Sequence, residues 1–226
     1  MYRSWLAPTP GGSRREEMLL AFDRQRVRRV LVIPPLFDES NKFRRQIAET
    51  MRFLDRYDID SLCPDLPGCN ESLADFSLQT LSGWRSAAQD AAETLGATDI
   101  LAFRSGAGIL PGDLPGWQFE PQAPRAALAR LVRAEVVAGK ESAHPRSAED
   151  ILGEARERGA VLAGWRFGPA MIAEIEAWDM PAPDRQRVLG QSDVGGRPLW
   201  LRAENDVDPA QADTLASLVA AGPEAA

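Results

Sequence analysis

The chain has 226 residues, which is enough for one domain with a sizeable core. Hydrophobic residues make up 44% of it and charged residues 26%, a globular composition that excludes a disordered chain. Because the net charge is −7, the chain lacks the basic character of nucleic-acid-binding proteins. We expect a single domain over residues 1–226 and no nucleic-acid partner.

Cysteine and histidine are scarce. Cys63 and Cys69 lie too close together in the sequence to suggest the disulfide framework of a secreted protein. With His144 as the single histidine, we expect no metal site, and we expect no cofactor. No run of about 18 apolar residues occurs, and the N-terminal residues lack a signal-peptide core. These features predict a reduced, cytoplasmic protein without a membrane span.

The first elements alternate between strand and helix. Trp5-Leu6 and Met18–Phe22 flank a Pro- and Gly-rich turn, which predicts a leading hairpin. Val30–Ile33 is a continuous apolar run, typical of a strand that is buried on both faces. Apolar residues then recur at helical spacing and predict a helix over residues 41–56, with a buried stripe of Phe43, Ile47, Met51 and Leu54.

The same alternation continues to residue 103. Ile59–Cys63 is predicted to be a strand, and the apolar spacing between Leu78 and Leu95 predicts a second helix that ends at Gly96. Asp99–Phe103 is the next predicted strand. Strands that alternate with helices pair in parallel. The predicted class is α/β, with a mostly parallel central sheet and helices on both faces.

The second half of the chain is more helical. We predict a helix around Leu128–Val136, and another that opens with the capping box of Ser147–Asp150 and closes at Gly159. Val161–Trp165 is predicted to be a strand, and Pro169 to be the first residue of a helix. The segment 124–180 is expected to form either a helical lid or a covering layer.

The predicted C-terminal elements complete the fold. Residues 181–196 are rich in Pro, Gly, Asp and Gln and are expected to form a mobile loop. Arg197–Arg202 is predicted to be the last strand. Asp208-Pro209 is then expected to cap and start a final helix.

The turn after Asp99–Phe103 has the shape of a nucleophile elbow, a strained strand-to-helix turn that exposes a catalytic side chain. The G-x-S-x-G pattern does not fit it cleanly. If Ser105 is the nucleophile, Phe103 and Ala107 occupy the positions where glycines are wanted. If Arg104 takes that place, Ala102 and Gly106 flank it well, but no nucleophile is supplied. The following helix is also cut short by Pro111-Gly112.

A general base is not recognisable. In this arrangement the order along the chain is nucleophile, acid and then histidine, but no residue after 144 is His. His144 lies in a polar stretch before a proline, which favours a solvated surface position over a role as the base for Ser105. Without a base, serine is a poor nucleophile at neutral pH.

A third group of residues follows the strand Val30–Ile33. The backbone N–H groups of Leu36 and Phe37 stand where an oxyanion hole is expected. Polar side chains follow at the start of the next helix, and these are Glu39, Asn41, Lys42 and Arg45. They either cap the helix and form local ion pairs, or form an anion or carboxylate pocket together with Arg104.

Several of these segments resemble one family. Pro34–Arg45 resembles the Pro-Pro-Phe-x-Glu-x-Asn-Lys-x-Arg-Arg segment of the α/β-hydrolase-like proteins called exosortase A system-associated hydrolase 2. Ala102–Ala107 resembles the Gly-Leu-Arg-Leu-Gly-Ala turn of that family, which places Arg104 at the elbow. Weaker likenesses lie in Pro64–Ser72, Ala163–Ile172 and Gly196–Trp200.

The resemblance implies an α/β-hydrolase fold and an association with exopolysaccharide biosynthesis and exosortase protein sorting. It leaves three functional hypotheses. The first is a hydrolase-like protein with a degenerate triad and weak or no activity, which binds a small acyl or carboxylate ligand or a partner. The second is an active serine esterase or thioesterase that uses Ser105. The third is a non-catalytic structural or regulatory subunit.

Overall fold

A computed structural model describes residues 1–9, 11–141, 145–180, 182–202 and 205–223. The strands within these residues are β1 Tyr2–Pro8, β2 Arg14–Phe22, β3 Arg29–Ile33, β4 Asp60–Pro64, β5 Asp99–Phe103, β6 Gly116–Phe119, β7 Ala160–Leu162, β8 Trp165–Phe167 and β9 Gln186–Leu189. The α-helices are α1 Asp38–Arg56, α2 Leu81–Thr94, α3 Pro124–Ala138, α4 Ala148–Arg158, α5 Pro169–Ala177, α6 Gln191–Val194 and α7 Pro209–Ala221.

Seven of these strands form one sheet in the order β1-β2-β4-β3-β5-β6-β9. β1 and β2 make the antiparallel leading hairpin, and β2 joins β4 antiparallel. From β4 to β9 every neighbouring pair is parallel. The predicted mostly parallel sheet is therefore confirmed. Because β3, β4 and β5 are adjacent and parallel, the segments that follow them meet at one edge of the sheet.

The two faces of the sheet carry separate apolar cores. On one face α1 and α7 pack with alternate strand residues such as Val32, Leu101 and Phe103. On the other face α2, α3, α4 and α5 pack with the intervening strand residues, such as Ile100 and Ala102. Continuous apolar strands are buried on both faces in this way. The segment 124–180 thus contributes to the second core, and a lid function for it stays a prediction.

The capping residues that were predicted at the starts of two helices form the expected hydrogen bonds in the structure. Ser147 and Asp150 form the expected reciprocal capping box at the start of α4. Asp208 accepts from the backbone N–H groups of Ala210 and Gln211, and Pro209 begins α7. These side chains satisfy N–H groups that a helix leaves unpaired in its first turn.

Three predictions for the second half were wrong. Arg197–Arg202 is not a strand but contains a short 3-10 helix, Leu199–Leu201. The last strand of the sheet, β9, lies instead within the stretch 181–196 that was expected to be a loop. The predicted strand Val161–Trp165 is a hairpin of β7 and β8 that stands outside the main sheet. No described helix is long and apolar enough to cross a membrane.

Candidate active site at the elbow

The elbow is the turn that links β5 to a 3-10 helix, Arg104–Ile109. Arg104 is its first residue and has φ +53°, a left-handed conformation that a non-glycine residue rarely adopts. Such backbone strain is typical of the nucleophile position in a strand-to-helix elbow. The geometry therefore places Arg104, and not Ser105, at that position.

Gly106 allows the elbow to approach the neighbouring strand. A Cβ atom at this position would stand 2.4 Å from the carbonyl oxygen of Pro34 and 3.0 Å from the side chain of Ile33. The residue two positions after Arg104 must therefore be glycine for the turn to pack against the end of β3. The Arg104 register predicted this small residue correctly.

Arg104 points into the protein and binds Glu39 of α1. Its Nε donates to Glu39 Oε2 at 3.3 Å and its Nη2 donates to Oε1 at 3.4 Å, which makes a bidentate ion pair. The Arg104 side chain is 8% exposed and the Glu39 side chain 3%. A buried guanidinium needs such a partner, since an unpaired charge away from water is costly.

Two residues after β6 hold the rest of the guanidinium. Arg104 Nη1 donates to the carbonyl oxygen of Glu120 at 3.2 Å, and Nη2 donates to Gln122 Oε1 at 3.3 Å. The backbone N–H of Gln122 also donates to the carbonyl oxygen of Arg104 at 3.1 Å. The loop that follows β6 therefore fixes both the side chain and the backbone of the elbow residue.

Arg130 and Trp200 complete the surroundings. Arg130 Nη2 lies 3.0 Å from Glu39 Oε1, so that this carboxylate is shared by two guanidinium groups. The Trp200 ring covers Arg104, with the guanidinium carbon 4.2 Å from the ring centroid. Stacking of this kind is favourable for arginine because the ring face is electron-rich. Sequence reasoning missed Glu120, Gln122, Arg130 and Trp200 as neighbours of the elbow.

Ser105 is fully buried and already bonded. Its Oγ accepts a hydrogen bond from the backbone N–H of Leu36 at 2.9 Å. That N–H is one of the two donors expected to form an oxyanion hole. The other belongs to Phe37, whose ring is buried against Phe167 with centroids 5.0 Å apart. Ser105 thus links the elbow to the residues after β3.

The remaining candidates are dispersed. Asn41 and Arg45 are exposed on α1, and Lys42 is half-buried. Glu39, on the buried face of the same helix, is the member of the predicted polar group that meets Arg104. His144 lies outside the described residues.

A second polar group lies beyond β4. Asp65 accepts from Asn70 Nδ2 at 2.6 Å, and burial raises the pKa of its carboxyl. Burial also raises the pKa of the free Cys63 thiol to about 12, which keeps it protonated and a poor nucleophile. Among the described residues no group of three or more His, Cys, Asp or Glu side chains is arranged to hold a metal ion.

Comparison with known proteins identifies the fold. No protein-family model and no curated protein sequence matches the chain. A structure from Agrobacterium vitis S4, provisionally named a hydrolase, matches with a TM-score of 0.59 and 11% identity over 99% of each chain. Mouse alpha/beta hydrolase domain-containing protein 10 matches with a TM-score of 0.54 and 11% identity. The match covers 83% of this chain and 77% of the mouse chain.

Est1E from Butyrivibrio proteoclasticus, in its ferulic acid-bound structure, matches with a TM-score of 0.50 and 16% identity, covering 78% of this chain and 72% of that chain. At these identities the likeness concerns the fold alone. The strand order, the parallel pairing and these neighbours agree with the predicted class. The chain has the α/β-hydrolase fold.

Proposed function

We propose that this chain is a non-hydrolytic α/β-hydrolase-fold protein that acts by binding a small acyl or carboxylate ligand, and not by acyl transfer. The observation that carries the proposal is Arg104 at the elbow, held in a left-handed backbone conformation and paired with Glu39. A guanidinium remains protonated in proteins and has no lone pair with which to attack a carbonyl carbon. The triad is therefore degenerate at its first member.

The state of Ser105 supports the same proposal. A serine nucleophile must reach the substrate carbonyl and be hydrogen-bonded to a base. Ser105 is inaccessible to solvent and its Oγ accepts from Leu36 N–H. That same N–H would be required to stabilise an oxyanion, so nucleophile and oxyanion donor are bonded to each other.

A carboxylate ligand at the elbow would compete with an internal carboxylate. Glu39 already occupies the bidentate position on Arg104, and Arg130 reinforces it. Binding at the predicted crevice of Leu36, Phe37 and Arg104 therefore requires Glu39 to be displaced. The resemblance of Pro34–Arg45 suggests the setting, an exosortase or exopolysaccharide system whose proteins would be the partners.

Ester turnover tests the proposal. We expect the wild-type chain and Ser105→Ala to hydrolyse p-nitrophenyl acetate, butyrate and octanoate at the same rate as buffer, while an active esterase in the same assay gives a clear signal. Circular dichroism would show that the variant is folded. Turnover by the wild type that disappears in folded Ser105→Ala would overturn the proposal and favour an active serine esterase.

A further inference from the structure

We propose that the free edge of β1 pairs with β1 of a second copy of this chain, so that two copies form a dimer with one continuous sheet. β1 lies at the end of the strand order, and β2 is its neighbour on one side only. The free edge of a strand presents backbone N–H and C=O groups with which another strand can pair. This surface lies away from the elbow, and the inference does not depend on the proposed function.

β1 lacks the features that usually protect an edge strand from pairing. It has seven residues and pairs with β2 without a bulge from Tyr2 to Pro8. It contains no lysine, and Arg3 is its one charged side chain. The strand at the opposite edge of the sheet, β9, has only four residues. Natural edge strands are kept short, charged or bulged because they otherwise pair with other chains. β1 is therefore the edge at which we expect pairing.

The hydrogen bonds to β2 determine which residues of β1 direct their backbone groups outward. Met1 and Ala21 exchange two bonds, since the Ala21 N–H donates to the Met1 carbonyl at 2.9 Å and the Met1 amine donates back at 2.6 Å. In an antiparallel pair of strands, hydrogen-bonded and non-hydrogen-bonded positions alternate. Tyr2, Ser4 and Leu6 therefore direct both backbone groups away from β2.

These outward groups are available for pairing. The N–H groups of Tyr2, Ser4 and Leu6 have no acceptor among the described residues. The Leu6 carbonyl accepts from Arg14 Nη1 at 2.8 Å, and its oxygen keeps a second lone pair. Pro8 is the next residue that faces outward, and it ends the run because it has no N–H.

One register pairs all three outward residues. A two-fold axis makes the two β1 strands antiparallel. With Ser4 opposite Ser4 of the second copy, Tyr2 lies opposite Leu6, and each of these pairs exchanges two backbone hydrogen bonds. A shift toward the N-terminus places Arg3 opposite Arg3, and like charges directly opposite are unfavourable. A shift toward the turn places Pro8 opposite Tyr2, whose carbonyl then finds no donor.

The same register covers exposed apolar side chains. Tyr2 is 59% exposed and Leu6 is 55% exposed. Because alternate residues share a face of a strand, Tyr2 of one copy and Leu6 of the other become cross-strand neighbours on both sides of Ser4. Leu73, which is 94% exposed, borders the same surface beside Arg3 and Ser4. Apolar side chains that are exposed together are typical of an interaction surface.

The dimer leaves both elbows accessible. Three strands lie between β1 and β5 in each copy, so the contact is remote from the elbow. Because the paired strands run antiparallel, the carboxyl ends of the parallel strands point in opposite directions in the two copies. The two elbows therefore open on opposite sides of the combined sheet.

Sedimentation equilibrium of the full chain tests for the dimer. A contact along one strand edge buries less than the roughly 800 Å² per partner of a standard interface, so the association should be weak. We expect a monomer–dimer equilibrium with a Kd of about 1–100 μM. A chain that remains monomeric at about 200 μM would overturn the proposal.

A charge introduced at the edge tests the surface. Leu6→Lys places a lysine opposite Tyr2 of the second copy and should raise the Kd at least about tenfold. Leu78→Lys is the matched control, because Leu78 is 70% exposed in a 3-10 helix outside the hairpin, and it should leave the Kd unchanged. Circular dichroism would show that both variants are folded. Equal effects of the two substitutions would contradict the proposed surface.

Crosslinking tests the register. Ser4→Cys treated with a short bis-methanethiosulfonate reagent should give a covalent dimer, because the two introduced thiols face each other across the axis. Ser13→Cys, in the exposed turn between β1 and β2, should not, and the wild-type chain controls for Cys63 and Cys69. Crosslinking of Ser13→Cys as fast as Ser4→Cys, or a dimer in which Ser4→Cys does not react across the axis, would contradict the pairing.

Discussion

Two polar clusters lie on either side of the elbow and differ in how well their groups are paired. In the first, which we call the closed cluster, Arg104 and Glu39 satisfy each other and are held further by Glu120 and Gln122. Arg130 Nη2 lies 3.0 Å from Glu39 Oε1 as an ion pair without hydrogen-bond geometry. In the second, the open cluster of Gln118, Trp178 and Arg85, two buried atoms have no partner among the described residues. The closed cluster thus pairs the charges of Arg104 and Glu39, whereas the open cluster leaves the Gln118 amide oxygen and the Trp178 indole N–H unpaired.

The difference has two causes in the sequence around the elbow. An arginine at the elbow recruits an internal carboxylate, so the place where a hydrolase would hold its nucleophile is filled. The 3-10 helix that follows covers less of the sheet than a long helix would, so space remains above β6. Substitutions in the two clusters should therefore change stability in opposite directions.

The largest change in the free energy of unfolding is expected for substitutions in the closed cluster. Glu39→Ala leaves the Arg104 charge buried without its carboxylate, which should lower the free energy of unfolding by about 3–5 kcal/mol. The double variant Glu39→Leu with Arg104→Met removes both charges and should recover most of that loss. Chemical denaturation measures all three chains. A loss below about 1 kcal/mol in Glu39→Ala would show that the pair is not structural.

A smaller loss of stability is expected for a substitution at the point where the elbow approaches β3. Gly106→Ala places a methyl group 2.4 Å from the Pro34 carbonyl oxygen and should cost about 1–3 kcal/mol. Gly153→Ala is the matched control, because Gly153 is inside α4 with open space around it and should gain about 0.5–1 kcal/mol. Thermal melts of both variants should therefore shift in opposite directions. A shared direction would mean that the close approach is absent.

The open cluster should respond with a gain. Gln118→Met removes an unpaired acceptor at nearly constant volume and also the long, 3.4 Å bond from Gln118 Nε2 to Gln186 Oε1, so it should stabilise the chain by less than about 1 kcal/mol. Gln46→Met is the matched control, since the Gln46 amide is buried and exchanges two hydrogen bonds with the Asp208 backbone. That variant should be destabilised by a similar amount. Losses in both would refute the contrast between paired and unpaired amides.

The smallest change in stability is expected at Glu17, which carries another unpaired atom, and this change should depend on pH. Glu17 accepts from Ser72 through Oε1, its Oε2 has no partner among the described residues, and burial raises the pKa of its carboxyl. When folding raises the pKa of a carboxyl group, its protonated form contributes to the free energy of unfolding. This contribution is fully present below about pH 4 and is lost as the pH rises through the pKa that the group has in the folded chain. Glu17→Gln should therefore stabilise the chain at pH 7, by about 1 kcal/mol or less, and not at pH 4.

Glu157→Gln on the exposed surface of α4 supplies the control for that prediction. It neutralises the same charge without removing a buried carboxylate, so denaturation midpoints should show no comparable dependence on pH. A gain from Glu17→Gln that is equal at pH 4 and pH 7 would contradict the role of burial.

Local sequence patterns were sufficient for the first half of the fold. The apolar runs Val30–Ile33 and Asp99–Phe103 are strands because both faces of the sheet are covered, and the stripe from Phe43 to Leu54 is the buried face of α1. Gly106 was also informative, because a cramped turn tolerates few residue types. These features depend on neighbours that are close in the chain or on burial alone.

The second half depends on pairing that short patterns do not reveal. β6 and β9 have four residues each. Each is a strand because it hydrogen-bonds to its neighbour in the sheet, β6 to β5 and β9 to β6. Leu199-Trp-Leu201 has strand-like composition but turns as a 3-10 helix, with Trp200 over Arg104. Tertiary context overrides local propensity at such sites. The two aromatic residues Trp117 and Phe119, which flank Gln118 between Pro115 and Pro121, were the signal that could have located Glu120.

Labelling with a fluorophosphonate probe tests the central claim, that the elbow holds a structural arginine and no working nucleophile. The intact mass of the wild-type chain should not change after incubation with an excess of the probe, and Ser105→Ala should behave identically. Stoichiometric modification that maps to Ser105 and is absent from the variant would contradict the account.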